Sequence, residues 1–353
     1  MHHFCTYFDR NYLTRGLALH GSLVRHCRDF QLWILAMDPV VESVIRRLEL
    51  PKVRLVTLAE LEGGIPELLT AKGNRSTLEY YFTCTPALPV HILAADASVD
   101  RITYLDADLW FYSDPAVVFD EIGDSPIAVV EHRFSPRNTR LEPISGRFNV
   151  SWVTFRRGSE GERCLGRWLS QCLNWCYNRS EGGLNADQKY LDEWPGQYPG
   201  LRILSHPGAG IAPWNVETSN LSWTDGRIFA GGAPLVFYHF HGVRRLGFGV
   251  YDPVLFHFFT RTTPMLRNHV YGPYLRHLEA FQHLLKSIDD SLETLGHLDR
   301  SRSGSDSGGA FATPLWLFRT LRSVLRREYL FYPTMARDAA DLARELSRFL
   351  GRR

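Results

Sequence analysis

The chain has 353 residues, 44% of them hydrophobic and 22% charged, and its formal net charge is +2. This composition is ordinary for a globular protein, and the length suffices for one large domain or for one domain with a smaller appendage. The nearly balanced charge argues against a nucleic-acid-binding protein, so any electrostatic preference must come from local patches.

The N-terminus and the cysteines bear on the compartment in which the chain works. The sequence begins MHHF and passes directly into a strand-like segment, without the charged and apolar regions of a signal peptide. No stretch reaches the roughly 18 apolar residues of a membrane span. We therefore expect a cytoplasmic location and reduced, mostly buried thiols. The six cysteines include no CxxC pair: Cys5, Cys27, Cys84, Cys164, Cys172 and Cys176.

Short apolar runs alternate with segments of helical spacing from the N-terminus onward. This alternation predicts an α/β fold with a mostly parallel central sheet covered by helices on both faces. Two long connections, 134–146 and 208–224, exceed the usual loop length, and such loops are functional or disordered. The predicted strands are 4–8, 31–37, 52–58, 101–105, 127–131, 151–155, 201–204 and 235–241, and the predicted helices are 12–26, 39–48, 83–95, 162–177 and 186–193.

After Pro253 the sequence becomes helical, and its composition then changes to a Ser/Gly-rich stretch followed by a basic segment. We divide it into a main α/β domain (1–252), a helical extension (253–299), a Ser/Gly-rich linker (300–312) and a basic C-terminal segment (313–353). In the last segment Leu317, Leu321, Val324 and Leu325 share one helical face, and four arginines lie largely off it. This pattern predicts peripheral attachment to an anionic membrane surface, with packing on the protein's own surface as the alternative.

Two carboxylates stand at the end of an apolar strand, in the segment Ile102-Thr-Tyr-Leu-Asp106-Ala-Asp108. In α/β sheets, ligands bind at the carboxyl ends of strands, and residues i and i+2 of an extended segment point the same way. Two such carboxylates repel each other unless a cation lies between them. The pattern therefore indicates a divalent ion shared with substrate phosphates. The alternative is a strand end with two solvated aspartates.

With its context, this segment resembles the DxD motif of GT-A glycosyltransferases, specifically the family-8 retaining galactosyl- and glucosyltransferases. Four further segments resemble that family in the same order, and together the matches span about residues 4–250. The resemblance implies a Rossmann-like nucleotide-sugar-binding domain over 1–252. The matching segments are 6–12 (TYFDRNY), 103–108 (TYLDAD), 147–151 (RFNVS), 185–188 (NADQ) and 238–242 (YHFHG).

The resemblance also implies roles for individual residues. Asp106, Asp108 and His239 would hold Mn²⁺ or Mg²⁺, with His241 as the alternative histidine. Asp187, Gln188 and Asn149 would lie at the reaction centre, although Asp187 could instead cap a helix. Asp9 and Tyr12 would hold uracil, with a capped helix start and a packed ring as the alternative. The nucleotide-sugar contacts would come from Thr6, Tyr7, Asp9, Asn11, Tyr12, Tyr104, Ala107, Gly242, Arg244 and Arg245.

The sequence also departs from the family pattern. The family's arginine before the DxD strand is missing from the segment 80–89, and Lys72 and Arg75, which precede this segment, are the candidate substitutes. No Pro-Trp follows Gly242. The implied reaction is transfer of a hexose from a UDP-sugar to a hydroxyl of a glycan, glycolipid or protein, with retention of anomeric configuration. The alternatives are a sugar-phosphate nucleotidyltransferase, a DxD-type phosphatase and a non-catalytic nucleotide-sugar-binding protein. A nucleotidyltransferase would be expected to begin with a Gly- and Arg/Lys-rich phosphate loop, and the segment 4–12 has none.

Overall fold

A computed structural model describes residues 1–247, 250–292 and 329–331. Its strands are β1 His2–Phe8, β2 Phe30–Ala36, β3 Val53–Thr57, β4 Arg101–Leu105, β5 Leu109–Phe111, β6 Ile127–Glu131, β7 Phe148–Arg156, β8 Leu201–Leu204, β9 Leu221–Thr224, β10 Arg227–Ala230, β11 Ala233–Pro234, β12 Phe237–His239, β13 Arg244–Gly247, β14 Val250–Asp252 and β15 Leu330–Phe331. Its α-helices are α1 Leu13–His26, α2 Pro39–Leu48, α3 Leu58–Gly64, α4 Glu67–Asn74, α5 Thr77–Ala95, α6 Ala116–Ile122, α7 Glu142–Ser145, α8 Ser159–Asn174, α9 Trp194–Gln197 and α10 Gly272–Ile288.

Seven strands form the central sheet in the order β3-β2-β1-β4-β7-β6-β8. All neighbours run parallel except around β7, which is antiparallel to both β4 and β6. The predicted mostly parallel α/β sheet is therefore confirmed. Because the carboxyl ends of the parallel strands meet at one edge, the residues that follow β1 and β4 are brought together there.

The sheet is buried on both faces, which explains its continuous apolar strands. Along β1, Phe4 and Phe8 enter one hydrophobic cluster, while Cys5 between them enters the other. The first cluster lies under α1, α2 and α10, and the second under α5 and α8. All six cysteines are buried and free, as predicted.

Local sequence signals fix several helix starts. The Asp38 side chain accepts the backbone N–H of Val41 at the start of α2, and this helix has its predicted bounds. Helix α5 begins six residues earlier than predicted, at a capping box formed by Ser76 and Glu79. The predicted helix 186–193 is instead a 3-10 helix, Gln188–Glu193, and the predicted strand 235–241 is reduced to β12.

The two long connections carry structure of their own. The segment 134–146 contains a 3-10 turn and α7, and the segment 208–224 contains a second 3-10 turn and β9. The short elements in these two connections were not predicted, because short elements held by distant contacts leave no periodic pattern in the sequence.

The helical extension packs on the sheet domain and does not form a separate core. Leu275, Leu278, Phe281 and Leu285 of α10 belong to the same hydrophobic cluster as α1. From the predicted C-terminal segment only 329–331 is described, and Leu330 there is buried and pairs with Tyr251 of β14. The amphipathic stretch 314–327 lies outside the described residues. Within the described part of the chain, no helix has the length and apolar character needed to cross a bilayer.

Candidate active site

The two predicted metal-binding carboxylates lie in a tight turn after β4. The backbone N–H of Asp106 donates to Ser151 O at 3.2 Å, and the N–H of Leu109 returns to Asp106 O at 3.2 Å. The turn leaves the Asp106 side chain 23% exposed and the Asp108 side chain 8% exposed. The sheet edge thus presents one accessible and one buried carboxylate.

Strand β12 places a histidine against this turn. It runs antiparallel to β5 with His239 opposite Leu109, and the N–H of Phe240 donates to Asp108 O at 3.0 Å. The Nε2 atom of His239 consequently lies 3.1 Å from Asp108 Oδ1 and 3.6 Å from Asp106 Oδ2. His239, the ligand favoured from the sequence, is buried, whereas His241 is exposed.

The three groups strongly affect one another's ionisation. Burial raises the pKa of Asp106 to about 6, although the neighbouring His239 opposes this. Burial acts on Asp108 in the same direction, but the charge and hydrogen bond of His239 outweigh it and lower the pKa to about 2. Burial acts to lower the pKa of His239, and the Asp108 carboxylate reverses this and raises it. The cluster therefore favours a positive charge between its carboxylates.

The side chains present fit a divalent cation. The ligand atoms of Asp108, His239 and His241 all lie within 4.8 Å of one another, and Asp106 contributes a second carboxylate beside His239. Carboxylate oxygens suit Mg²⁺ and Mn²⁺, and a neutral imidazole is the commonest protein metal ligand. This Asp/His cluster could hold a metal ion.

Another carboxyl group, that of Asp187, is buried close enough to Asp106 to be affected by its charge. Asp187 is 3% exposed, and its Oδ2 atom has no hydrogen-bond partner among the described residues. Its side chain makes no capping hydrogen bond, so the capping alternative is not observed. Burial raises the pKa of Asp187 to about 7; a hydrogen bond from Thr85 opposes this, and the charge of Asp106 adds to it.

Two tyrosines line the region between these carboxyl groups. The Tyr104 hydroxyl donates to Asp106 Oδ1 at 3.0 Å, and the Tyr7 hydroxyl lies 3.1 Å from Thr85 Oγ1. The ring centres of Tyr7 and Tyr104 lie 5.7 Å apart. Tyr7 and Tyr104 thus connect the end of β1 to the end of β4. Thr6 is buried on the same strand, and Ala107 is buried in the turn.

Asn149 and Gln188 bind each other and a histidine. The Asn149 amide donates to Gln188 Oε1 at 2.9 Å and lies 3.2 Å from His132 Nε2. The Gln188 amide donates to Ser145 O at 2.8 Å. Because the protein already uses these donors, the pair fixes the strand end, and its predicted contact with a sugar stays a proposal.

His132 holds this network in place and was not predicted. Its Nδ1 atom lies 3.0 Å from Gly146 O, so Nδ1 carries the proton and Nε2 is left to accept from Asn149. Burial lowers the pKa of His132 to about 3, which keeps the ring neutral.

The loop after β1 is organised by Asp9. Its carboxylate accepts the N–H groups of Asn11 and Tyr12 at 2.9 and 3.3 Å and the Asn11 side-chain amide at 2.9 Å. The capping alternative is therefore observed, and the uracil contact stays a prediction. Tyr12 is 39% exposed, which leaves its ring available for stacking.

A buried arginine that sequence analysis missed joins this loop to the histidine segment. Arg15 donates to Asn11 O at 3.1 Å and to Val243 O at 2.6 Å, and its guanidinium carbon lies 4.4 Å from the centre of the Tyr12 ring. It is 9% exposed and is among the charges that lower the pKa of Asp108. The described residues give it no carboxylate within ion-pair distance.

The predicted phosphate-binding arginines are paired elsewhere. Arg244 binds Asp252 at 2.8 Å, and Arg245 binds the buried Glu279 of α10 at 2.8 Å. Gly242 makes the preceding turn with a φ of +71°, a conformation that favours glycine. A phosphate contact from either arginine would have to compete with these ion pairs.

The proposed substitutes for the family's missing arginine also lie in other contacts. Lys72 pairs with Glu62 at 2.7 Å, and Arg75 donates to Leu173 O at 2.7 Å. A donor contact from either residue would have to compete with these bonds, and the suggested substitution stays a prediction.

Comparison with known proteins places the chain in a family. No protein-family model matches it. It belongs to the same family as two Bacillus subtilis (strain 168) proteins, both described as uncharacterized. YfnD is 33% identical over 242 residues, which cover 68% of this chain and 77% of YfnD. YfnF is 31% identical over 288 residues, which cover 80% of this chain and 93% of YfnF.

Solved structures with some similarity include two glycosyltransferases. Mouse xyloside xylosyltransferase 1, in its apo form, is 15% identical, with 68% of this chain and 98% of that chain covered at a TM-score of 0.44. The galactosyltransferase LgtC, in complex with donor and acceptor sugar analogs, is 15% identical, with coverage of 68% and 87% and a TM-score of 0.44. At this level of similarity the function must be inferred from the side chains of the site.

Proposed function

We propose that this chain is a metal-dependent glycosyltransferase that moves a hexose from a UDP-sugar to a hydroxyl acceptor with retention of anomeric configuration. The observation that carries the proposal is the convergence of Asp106, Asp108 and His239 at the carboxyl edge of the sheet. The buried carboxyl group of Asp187 lies within the electrostatic influence of Asp106. Such a cluster binds a divalent metal ion, and the metal ion in turn binds the negatively charged diphosphate of a sugar nucleotide.

In this proposal each side chain has a distinct task. Asp106, Asp108 and His239 hold Mn²⁺ or Mg²⁺, which supplies neutralisation of the charge that develops on the departing diphosphate. Tyr12 stacks on uracil, and Asp9 both shapes the loop and faces the base. Arg15 provides a fixed positive charge on the phosphate side, because it is buried and has no carboxylate partner among the described residues.

The sugar end would be governed by Asp187. We propose a same-face displacement in which its carboxylate stabilises positive charge at the anomeric carbon. Gln188 and Asn149 act with it as positioning residues, since their amide donors are used within the protein. A double displacement would instead require Asp187 to lie about 3 Å from the anomeric carbon.

We also propose a cytoplasmic enzyme whose basic segment 313–353 holds it at an anionic membrane surface, where a lipid-linked acceptor would be met. The support is the separation of leucines and arginines on the two faces of the predicted helix.

The experiment is a panel of UDP-hexoses incubated with the protein and Mn²⁺ in the absence of acceptor. The proposal predicts release of UDP and free sugar from at least one donor, arrest by EDTA and recovery with added Mn²⁺. A nucleotidyltransferase would instead convert the donor to UTP and sugar 1-phosphate when pyrophosphate is added. Intact donors throughout, with no stabilisation of the fold by any UDP-sugar, would overturn the proposal.

A further inference from the structure

A cavity of about 540 Å³ is bordered by Val216 and Phe259, which lie within two residues of Trp214 and Phe258 in the sequence. The Trp214 indole packs edge-on against His239 at 5.3 Å and against Phe258 at 5.9 Å, as measured between ring centres. Its Nε1–H donates to His132 O at 2.9 Å. Trp214 thus contacts both the Asp/His cluster and Phe258, and the His241 ring of the cluster also lies 6.3 Å from the Phe258 ring.

One asparagine ties together the three segments that border the cavity. The Asn138 amide donates to Trp214 O at 3.0 Å and to Phe258 O at 2.9 Å. The cavity is bordered by the residues next to these anchors, including Arg137, Val216 and Phe259. The cavity thus adjoins segments that contact the Asp/His cluster, and the body of a sugar acceptor would extend into it.

The cavity wall is positively charged. Arg137 and Arg261 both border it and are exposed, and neither has a hydrogen-bond or ion-pair partner among the described residues. Arg140 lies close by, with its guanidinium carbon 5.2 Å from the centre of the Phe259 ring. The acidic member of the wall is Glu217. Unpaired guanidinium groups at a concave surface are suited to bidentate binding of carboxylate or phosphate.

The backbone of the same wall is strained. Val254 and Phe259, which bracket a 3-10 turn at Leu255–Phe258, have φ angles of +60° and +56°. Such values are unfavourable for a β-branched or bulky residue and are retained where the surrounding structure imposes them, often at binding sites. The turn leaves the Phe259 ring 47% exposed at the cavity.

We infer that this cavity binds the acceptor, and that the acceptor is an acidic carbohydrate carrying a carboxylate or phosphate group beside its reactive hydroxyl. This inference rests on the proposed transferase function and adds the chemical class of the acceptor. Arg137 and Arg261 bind the anionic group, and Phe259 offers an apolar face to the sugar ring.

Calorimetric titration of the full-length protein, first saturated with UDP and Mg²⁺, tests the inference without requiring turnover. The ligands are methyl glucoside, glucuronate and glucose 6-phosphate, which differ in charge and in the kind of acid group. The wild type should bind at least one anionic sugar about tenfold or more tightly than methyl glucoside, as charge-assisted hydrogen bonds to arginine predict. Which of the two binds identifies carboxylate or phosphate as the recognised group.

The variants decide whether the cavity is responsible. Arg137→Gln combined with Arg261→Gln should remove the preference for the anionic sugar. Arg202→Gln combined with Arg227→Gln alters two exposed arginines outside the cavity and should retain it. A wild type without charge preference, or a preference that survives the first double substitution, overturns the inference. Absence of UDP binding in the preliminary titration would instead remove the proposed function, and the acceptor inference with it.

Discussion

Replacing Asp187 by asparagine should stabilise the fold at neutral pH while removing transfer. Burial holds the pKa of this carboxyl group at about 7 in the folded protein, against an ordinary value of 3.8. Between these values the folded state binds a proton that the unfolded state has lost, so stability falls as pH rises from 4 to 7. At about 1.4 kcal/mol per pKa unit, the difference amounts to about 4 kcal/mol above pH 7.

The uncharged asparagine avoids this loss. Asp187→Asn should therefore be more stable than the wild type by about 4 kcal/mol at pH 8, and the advantage should shrink by about 1.4 kcal/mol per pH unit below 7 until it nearly vanishes at pH 4. Urea unfolding of the metal-free protein at four pH values measures this, with the exposed Asp120→Asn as control. An Asp187→Asn protein that is less stable than the wild type, or whose advantage does not vary with pH, would refute the reasoning.

Three further outcomes are expected at the donor and the tail. Arg15→Gln should weaken UDP binding at least about tenfold while leaving uridine binding unchanged, whereas Arg244→Gln, already paired, should change neither; calorimetry checks both. Asp9→Asn keeps an oxygen for the N–H of Asn11, so the melting temperature should not change. Loss of the base contact should raise the donor KM more than it lowers kcat. Equal binding of UDP and CDP by the wild type would contradict a uracil contact. Deleting residues 310–327, which keeps Leu330 and its pairing with Tyr251, should abolish salt-sensitive sedimentation with anionic vesicles but retain donor hydrolysis. An insoluble product would mean that residues 310–327 also belong to the core.

The central sheet was predictable because its strands are continuous apolar runs. Strands β4, β6 and β8 have their predicted bounds, and α2 was marked by Asp38 followed by proline. These are local signals, and they also predict the position of the DxD turn, because this turn directly follows β4. The two carboxylates of the Asp/His cluster were predicted for the same reason, and its histidine was supplied by family resemblance.

Other features depend on contacts that no local pattern records. Strands β5 and β12 are three residues long and exist because they pair with each other across the sequence. The start of α5 is set by the capping box of Ser76 and Glu79, and the helix then continues through Pro86 and Pro89. Pairing of Arg244 and Arg245 with carboxylates of the C-terminal region could not be foreseen either.

Two missed residues had usable signals. His132 follows the apolar strand β6 directly, so the rule that ligands meet the carboxyl ends of strands applied to it as well as to Asp106. Arg15 lies in the first turn of α1, in a stretch that also contains Leu13, Leu17 and Leu19, and a basic residue on a buried helical stretch calls for a partner or a ligand.

Manganese binding by Asp108→Asn tests the central claim most directly. EPR titration of the wild type should show one Mn²⁺ site that UDP tightens, and donor hydrolysis should depend on its occupancy. Asp108→Asn should lower the affinity for Mn²⁺ and reduce the rate of donor hydrolysis by at least about 100-fold, the loss typical of a charge-stabilising group at a reaction centre. The exposed Asp120→Asn should behave as the wild type. A folded Asp108→Asn protein with wild-type manganese affinity and turnover would contradict the account.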